Sequence, residues 1–156
     1  MDPVEQRLKQ MKAVHLERKN MVVAPPTWSV RQCLDELRAA RADCLLVVDG
    51  ARLVGIFTER DVLKKIVLEK GACDRPVKEF MTRDPRTIDE SATVARAVHE
   101  MHEHGFRHLP IMDARKNPVG VVGQMDIVRF LAGEYADKVL NLPPVPDQVP
   151  GAPEGG

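Results

Sequence analysis

The segment Gly55-Ile56-Phe57-Thr58-Glu59-Arg60-Asp61 holds the side chains best suited to chemistry. An apolar run ends at Thr58 and a charged run begins, so Thr58 stands where a strand gives way to a helix. Its hydroxyl can cap that helix. The free backbone N–H groups of a helix start also suit an anion such as phosphate. Asp61 follows three residues later, one helical turn on and on the same side. A carboxylate there can accept both hydroxyls of a ribose while Thr58 faces the phosphate. The same spacing is that of a helix-capping pair, so the motif by itself leaves both readings open.

Other reactive side chains are weaker candidates. His99, His102, His104 and His108 crowd into HEMHEHGFRH, and histidines three apart on a helix can bind a metal. The HExxH spacing of zinc proteases is absent, and His104 falls at the helix end beside Gly105, so solvated surface histidines and no metal site are expected. The three cysteines, Cys33, Cys44 and Cys73, form no CxxC pair. They read as small buried hydrophobes in a reducing, cytoplasmic compartment. No nucleophile has a placeable base, and no P-loop or GxGxxG fingerprint occurs.

The elements that position these residues come in two copies. A shift of 64 residues lays Val30 on Val94, Leu34 on Val98, Leu37 on Met101, Leu45 on Leu109 and Asp49 on Asp113. A one-residue longer hairpin loop then makes the shift 65, laying Val54 on Val119, Gly55 on Gly120 and Asp61 on Asp126. Such self-similarity marks two copies of one structural unit. In each copy an amphipathic helix (Val30, Cys33, Leu34, Leu37; then Val94, Ala97, Val98, Met101) precedes a short apolar strand, Cys44 to Val48 or His108 to Met112. A turn leads to a second strand, Leu53 to Phe57 or Pro118 to Val122, and a second helix starts near Glu59 or Gln124. Trp28, beside Pro25 and Pro26, reads as a packing anchor at the start of the first helix. One unit of this size buries little core, so the two are expected to pack together.

Composition narrows the function. Apolar residues make up 44% and charged residues 29% of the 156 residues, with 23 basic and 23 acidic side chains. A neutral chain lacks the basic surplus of a nucleic-acid binder, yet a local basic pocket suffices for a small anion. No apolar run reaches the length of a membrane span, and the N-terminus lacks the apolar core of a signal peptide. Four regions are expected: an amphipathic helix over 1–20 (Val4, Leu8, Met11, His15), a repeat over 21–72, a second repeat with an extended helix over 73–141, and a disordered Pro/Gly tail over 142–156.

Gly55–Asp61 resembles the G-h-h-T-x-x-D nucleotide motif of the cystathionine-β-synthase-type (CBS) domain family. Phe80-Met81-Thr82-Arg83-Asp84-Pro85-Arg86-Thr87-Ile88 resembles the M-T-x-x-P-x-T-V segment that opens a repeat of that family. Arg107-His108-Leu109-Pro110-Ile111 resembles its H/R-x-L-P-V strand. The resemblance covers about Val22 to Ala132. It implies an α/β (α+β sandwich) fold: two β-α-β-β-α repeats packed through their sheets around a pseudo-two-fold axis, with two clefts between them. It further implies a stand-alone, non-enzymatic module that binds AMP, ADP or ATP, forms a homodimer through its helices and signals to an effector protein.

Carried over residue by residue, the resemblance places Asp61 on the ribose hydroxyls, and Thr58 on the phosphate with Thr87, Arg107 and His108. It places Ile56, Ile88 and Pro110 against the adenine. The second cleft departs from the pattern. It retains Asp126, but Gly123 replaces the threonine, Val23 replaces the equivalent of Thr87, and Asp43 and Cys44 replace those of Arg107 and His108. That cleft is expected to be empty, weak or selective for a less charged adenosine derivative. The alternatives are an adaptor with empty clefts and a binder of S-adenosylmethionine or NAD.

Overall fold

A computed structural model describes residues 2–16 and 20–140, with backbone only at 137–140. The tail expected over 142–156 lies outside these residues. Helix α1 (Pro3–Gln10) starts where Asp2 accepts a hydrogen bond from the Val4 N–H at 2.8 Å. Pro3 occupies the first turn, where its missing N–H costs nothing. The helix is shorter than the sequence spacing suggests. The backbone turns extended at Met11, and Lys12 bridges to Thr93, so Met11 and His15 lie beyond it.

The first repeat runs β1 (Val23–Ala24), α2 (Val30–Ala40), β2 (Cys44–Asp49), β3 (Arg52–Thr58) and α3 (Glu59–Asp61). After its single turn α3 widens into a π-turn over Val62–Ile66 rather than continuing as an α-helix. Strand β4 (Thr82–Arg83) follows, and then the second repeat: β5 (Ile88–Asp89), α4 (Val94–His104), β6 (His108–Met112), β7 (Pro118–Gly123) and α5 (Gln124–Leu140). Ser29 and Gln32 form a reciprocal cap on α2, and Thr93 caps α4. Gly105, at φ 71°, ends α4 in the left-handed conformation that glycine adopts without strain. Trp28 is partly buried against the first core.

The sheets run in the order β1-β2-β3-β4 and β5-β6-β7. The repeat extends to the register. Ala24 pairs in parallel with Val47 as Ile88 does with Ile111. Both hairpins shift register at the same place, between Val47 and Val48 and between Ile111 and Met112. Strand β4, only two residues long and without a period in the sequence, pairs Arg83 with Gly55 and Thr82 with Ile56. Gly55 permits this close approach, because a Cβ there would meet the Met81 Sδ at 2.4 Å and the Thr82 carbonyl at 3.1 Å.

The run CLLVV lacks polar alternation because both faces of β2 are buried. Leu45, Val47 and Phe57 face the helices of their own repeat, with Val30, Cys33 and Leu37. Cys44, Leu46 and Ile56 face the other way and meet Leu53 and Val121 at a seam between the sheets. Leu109, Ile111 and Val122 form the matching core of the second repeat. The result is the α+β sandwich of two repeats packed through their sheets.

Each core also borrows from the segment that precedes the opposite repeat. Val77, Phe80 and Met81 complete the first core, and Ala13 and Leu16 complete the second. The 64-residue shift lays Ala13 on Val77 and Leu16 on Phe80. Neither half is therefore whole alone, and the chain should unfold in one step. Trp28 fluorescence, which senses the first repeat, should give the same urea midpoint as far-ultraviolet circular dichroism. Leu46→Ala, which opens a cavity at the seam, should lower stability by about 2–5 kcal/mol while keeping the two transitions coincident.

Candidate functional site

Strand β3 ends at Thr58, whose backbone is extended (φ −124°, ψ 168°), and α3 begins on the next residue. The Thr58 N–H donates to Asp61 Oδ2 at 3.0 Å, and the Asp61 N–H donates to Thr58 Oγ1 at 3.4 Å. The two residues thus form a cap, which leaves Asp61 Oδ1 pointing elsewhere. That oxygen accepts from Thr82 Oγ1 at 3.2 Å and lies 2.9 Å from Lys65 Nζ. Lys65 also donates to the Phe80 carbonyl at 2.8 Å, which fixes the ammonium in place. Asp61 is only 5% exposed. A buried carboxylate needs such partners.

Asp61 and Thr58 stand in the wall of a cleft of about 480 Å³ between the repeats, a size ordinary for small-molecule sites. Arg60, Lys64, Lys65, Arg86 and Arg107 also line it, against the carboxylates of Asp43, Glu59 and Asp61. The cleft is therefore net positive in a chain of zero formal charge. Ile56, Pro85, Phe106 and Met125 supply its apolar lining, and His104 and His108 complete the far side.

Five of the eight residues expected here, Ile56, Thr58, Asp61, Arg107 and His108, line this cleft together. Three do not. Thr87 lines a separate cavity of about 450 Å³ between the two hairpin loops, with Arg52, Asp84, Arg115 and Lys116. Ile88 pairs with Ile111 and is buried in the second core. Pro110 is fully buried in β6, paired with Val121. Five residues up the chain from Thr87, Thr82 brings its hydroxyl to Asp61 because β4 adds its segment to the sheet edge beside Ile56.

The second cleft is nearly closed. Asp126 Oδ2 accepts from the Gly123 N–H and Oδ1 from Arg129 Nη2, both at 2.7 Å. The space beside them is about 20 Å³, lined also by Asn20, Met21, Asp43, Cys44 and His108. Val23 is exposed on the edge strand β1 and does not reach it; Met21 does. The His108 ring lies over Gly123, where a Cβ would meet its Cδ2 at 3.2 Å. Ring and threonine would compete for this spot, and in the first repeat the paired residues are Cys44 and Thr58.

Glu100, unremarked in the sequence, anchors one side of the main cleft. It is 3% exposed on α4 and pairs with Arg86, with Arg96 at 2.7 Å and with His104 at 3.6 Å. The hydrogen bond from Arg86, with the charges of Arg86, Arg96 and His104, holds its carboxyl below the usual range despite burial. Among the described residues, His99 and His102 belong to no group of three metal-ligating side chains, and no helix is long and apolar enough to cross a membrane.

Residues 13–68 and 77–133 match the CBS domain family. The 17.7 kDa protein of the bps2 3' region of Acidianus ambivalens is 31% identical over 121 residues, covering 77% of this chain and 73% of that one. Other curated relatives are longer, and the chain spans 37%, 18% and 25% of three of them. The crystal structure of the CBS domain protein NE2398 superposes with a TM-score of 0.71 at 31% identity, over 78% of this chain and 97% of that one. The CBS domain pair of protein MJ0100, solved with 5'-methylthioadenosine and S-adenosyl-L-methionine, also gives 0.71, at 26% identity over 80% and 98%.

The depressed Glu100 carboxyl predicts an acid limb of stability. Its contribution is complete above the unfolded carboxylate pKa, about 4.3, and is lost as pH falls through the lower folded value. Urea titrations across this range should show a shallower acid loss in Glu100→Gln than in the parent. Asp89 and Asp113, also held low by hydrogen bonds from Ser91 and Asn117, keep the remainder.

Proposed function

Because this chain belongs to the CBS domain family, we propose that it is a regulatory module that binds an adenine nucleotide in the Thr58/Asp61 cleft, and not an enzyme. The observation that carries this reading is the Asp61 carboxylate, held by Thr58, Thr82 and Lys65 in the wall of a cation-lined cleft. Asp61 Oδ1 accepts the ribose hydroxyls in place of Thr82 and Lys65. The displaced ammonium turns to the phosphate together with Arg60, Lys64 and Arg107. Arg86 joins them, held in place by Glu100. The base lies against Ile56, Pro85, Phe106 and Met125, which replace the Ile88 and Pro110 expected from the sequence.

The ligands of MJ0100 support the adenosyl part of this assignment. They also favour a second reading, in which the ligand is a thioether or sulfonium adenosine compound. The cationic lining distinguishes the two: it favours AMP, ADP or ATP over a positively charged sulfonium. Bound ligand bridges residues of both repeats, so occupancy biases their packing and is read by an effector protein in the cytoplasm.

The same module is proposed to act as a homodimer. Leu63 is 72% and Val128 49% exposed, on the helical segments that follow β3 and β7, and Val67, 61% exposed, comes directly after the first of them. The 65-residue shift lays Leu63 on Val128, so the two apolar patches are repeat equivalents, the arrangement an isologous contact uses. Sedimentation equilibrium should give a dimer for the parent and a monomer for Leu63→Glu combined with Val128→Glu.

The ligand assignment is tested by calorimetry and thermal-shift measurements with AMP, ADP, ATP, NAD and S-adenosylmethionine. An adenine nucleotide should bind best. Asp61→Ala should weaken it about 10–100-fold, the worth of hydrogen bonds to a charged group, and Asp126→Ala should leave it largely intact. Binding lost in Asp126→Ala but retained in Asp61→Ala would move the site to the other cleft, and no binding of any of the five leaves an adaptor.

A further inference from the structure

Asp43, Cys44 and His108 come together at the mouth of the seam, although 64 residues separate Cys44 from His108. One oxygen of Asp43, the Cys44 sulfur and one His108 nitrogen all lie within 4.8 Å of one another. Cys44 is the first residue of β2, with Asp43 just before it, and His108 is the first residue of β6. The repeat shift lays Cys44 on His108. Each repeat therefore delivers one soft or borderline donor to the same spot from the equivalent strand position.

Three observations fit a metal ion. The His108 Nε2 to Asp43 Oδ1 separation is 3.5 Å, close to the edge of about 3.4 Å for a tetrahedron with arms of about 2.1 Å. The cavity lined by these three residues is about 20 Å³, room for one ion or water and for nothing larger. The donor set is also selective. Thiolate with imidazole and a carboxylate suits zinc and cobalt, whereas calcium and magnesium require all-oxygen shells.

We propose that Asp43, Cys44 and His108 bind a single divalent transition-metal ion of the zinc class at the seam. Asp126 lines the same cavity, but both its oxygens are engaged by Gly123 and Arg129. The fourth position therefore belongs to water, reached from the main cleft, whose walls include Asp43 and His108. The bound ion ties β2 of the first repeat to β6 of the second. Of the other thiols, Cys33 is an unsuitable competitor, since burial pushes it up to about 11 and a thiolate is what binds metal.

The test uses the full chain, reduced, stripped with a chelator and free of nucleotide, so that it stands apart from the ligand assignment. Cobalt is titrated in and its absorption recorded; zinc affinity is then read by competition. One cobalt per chain is expected, with a thiolate-to-metal charge-transfer band that disappears in Cys44→Ala. His108→Ala and Asp43→Asn should weaken binding by more than the ~10–100-fold typical of outer-shell changes. His99→Ala with His102→Ala should bind as the parent does. Asp43→Asn preserves shape and keeps the test valid if Cys44→Ala fails to fold. Absence of stoichiometric cobalt, a spectrum without the thiolate band, or affinity unchanged in Asp43→Asn and His108→Ala would overturn the site.

Discussion

Burial of both faces of β2 is the constraint from which the rest of the molecule follows. One face, Leu45 and Val47, is satisfied by the helices of its own repeat. The other, Cys44 and Leu46, turns away from those helices and meets Val121 of the second sheet at the seam. Apolar burial contributes about 25 cal/mol for each Å² removed from water, so a lone repeat would expose a strand face it cannot afford to wet. Pairing is thus a condition of folding. The clefts follow from it, because two twisted sheets that meet along their middle diverge at their edges.

What the strands carry at those edges sets the asymmetry of the molecule. At equivalent positions the first repeat pairs Cys44 with Thr58, and the second pairs His108 with Gly123. A small residue opposite a threonine leaves an open cleft with a hydroxyl in it. A ring opposite a glycine fills the space and removes the hydroxyl. The closed second cleft is one packing exchange, large for small, on a conserved backbone register. The arginine on Asp126 and the lysine and threonine on Asp61 continue the same division.

The repeat, the order of strands and helices, and the Thr58/Asp61 pair were legible in the sequence because each is local or periodic. Apolar spacing reports a helix face, and a fixed shift reports duplication. The lining of the cleft was legible only in part. Thr82 sits in a two-residue strand too short to carry a period, and only its pairing with Ile56 brings it to Asp61. Thr87 has the right chemistry, but the chain turns between the two residues and sends it toward the hairpin loops. Ile88 and Pro110 are placed on the adenine by the family resemblance, and the apolarity that suits them to a base is a property that core packing uses just as well. Glu100 gave no signal at all: on a helix it looks like any surface acid until the fold stacks Arg86 over it. Distance in sequence likewise hides the company His108 keeps with Asp43 and Cys44.

The crossing of the two preceding segments has a consequence for biosynthesis. The helix-side core of the first repeat has all its residues once Val77, Phe80 and Met81 have emerged from the ribosome, although the seam face of β2 still waits for the second sheet. Ala13 and Leu16 wait longer, because their place is in a core whose strands end at Gly123. At about 5–20 residues per second the N-terminal arm waits on the order of ten seconds for its partner to be made. Through that interval the oldest part of the chain is the last to find its site, with its apolar side chains open to chaperones or to the arm of a neighbouring nascent chain.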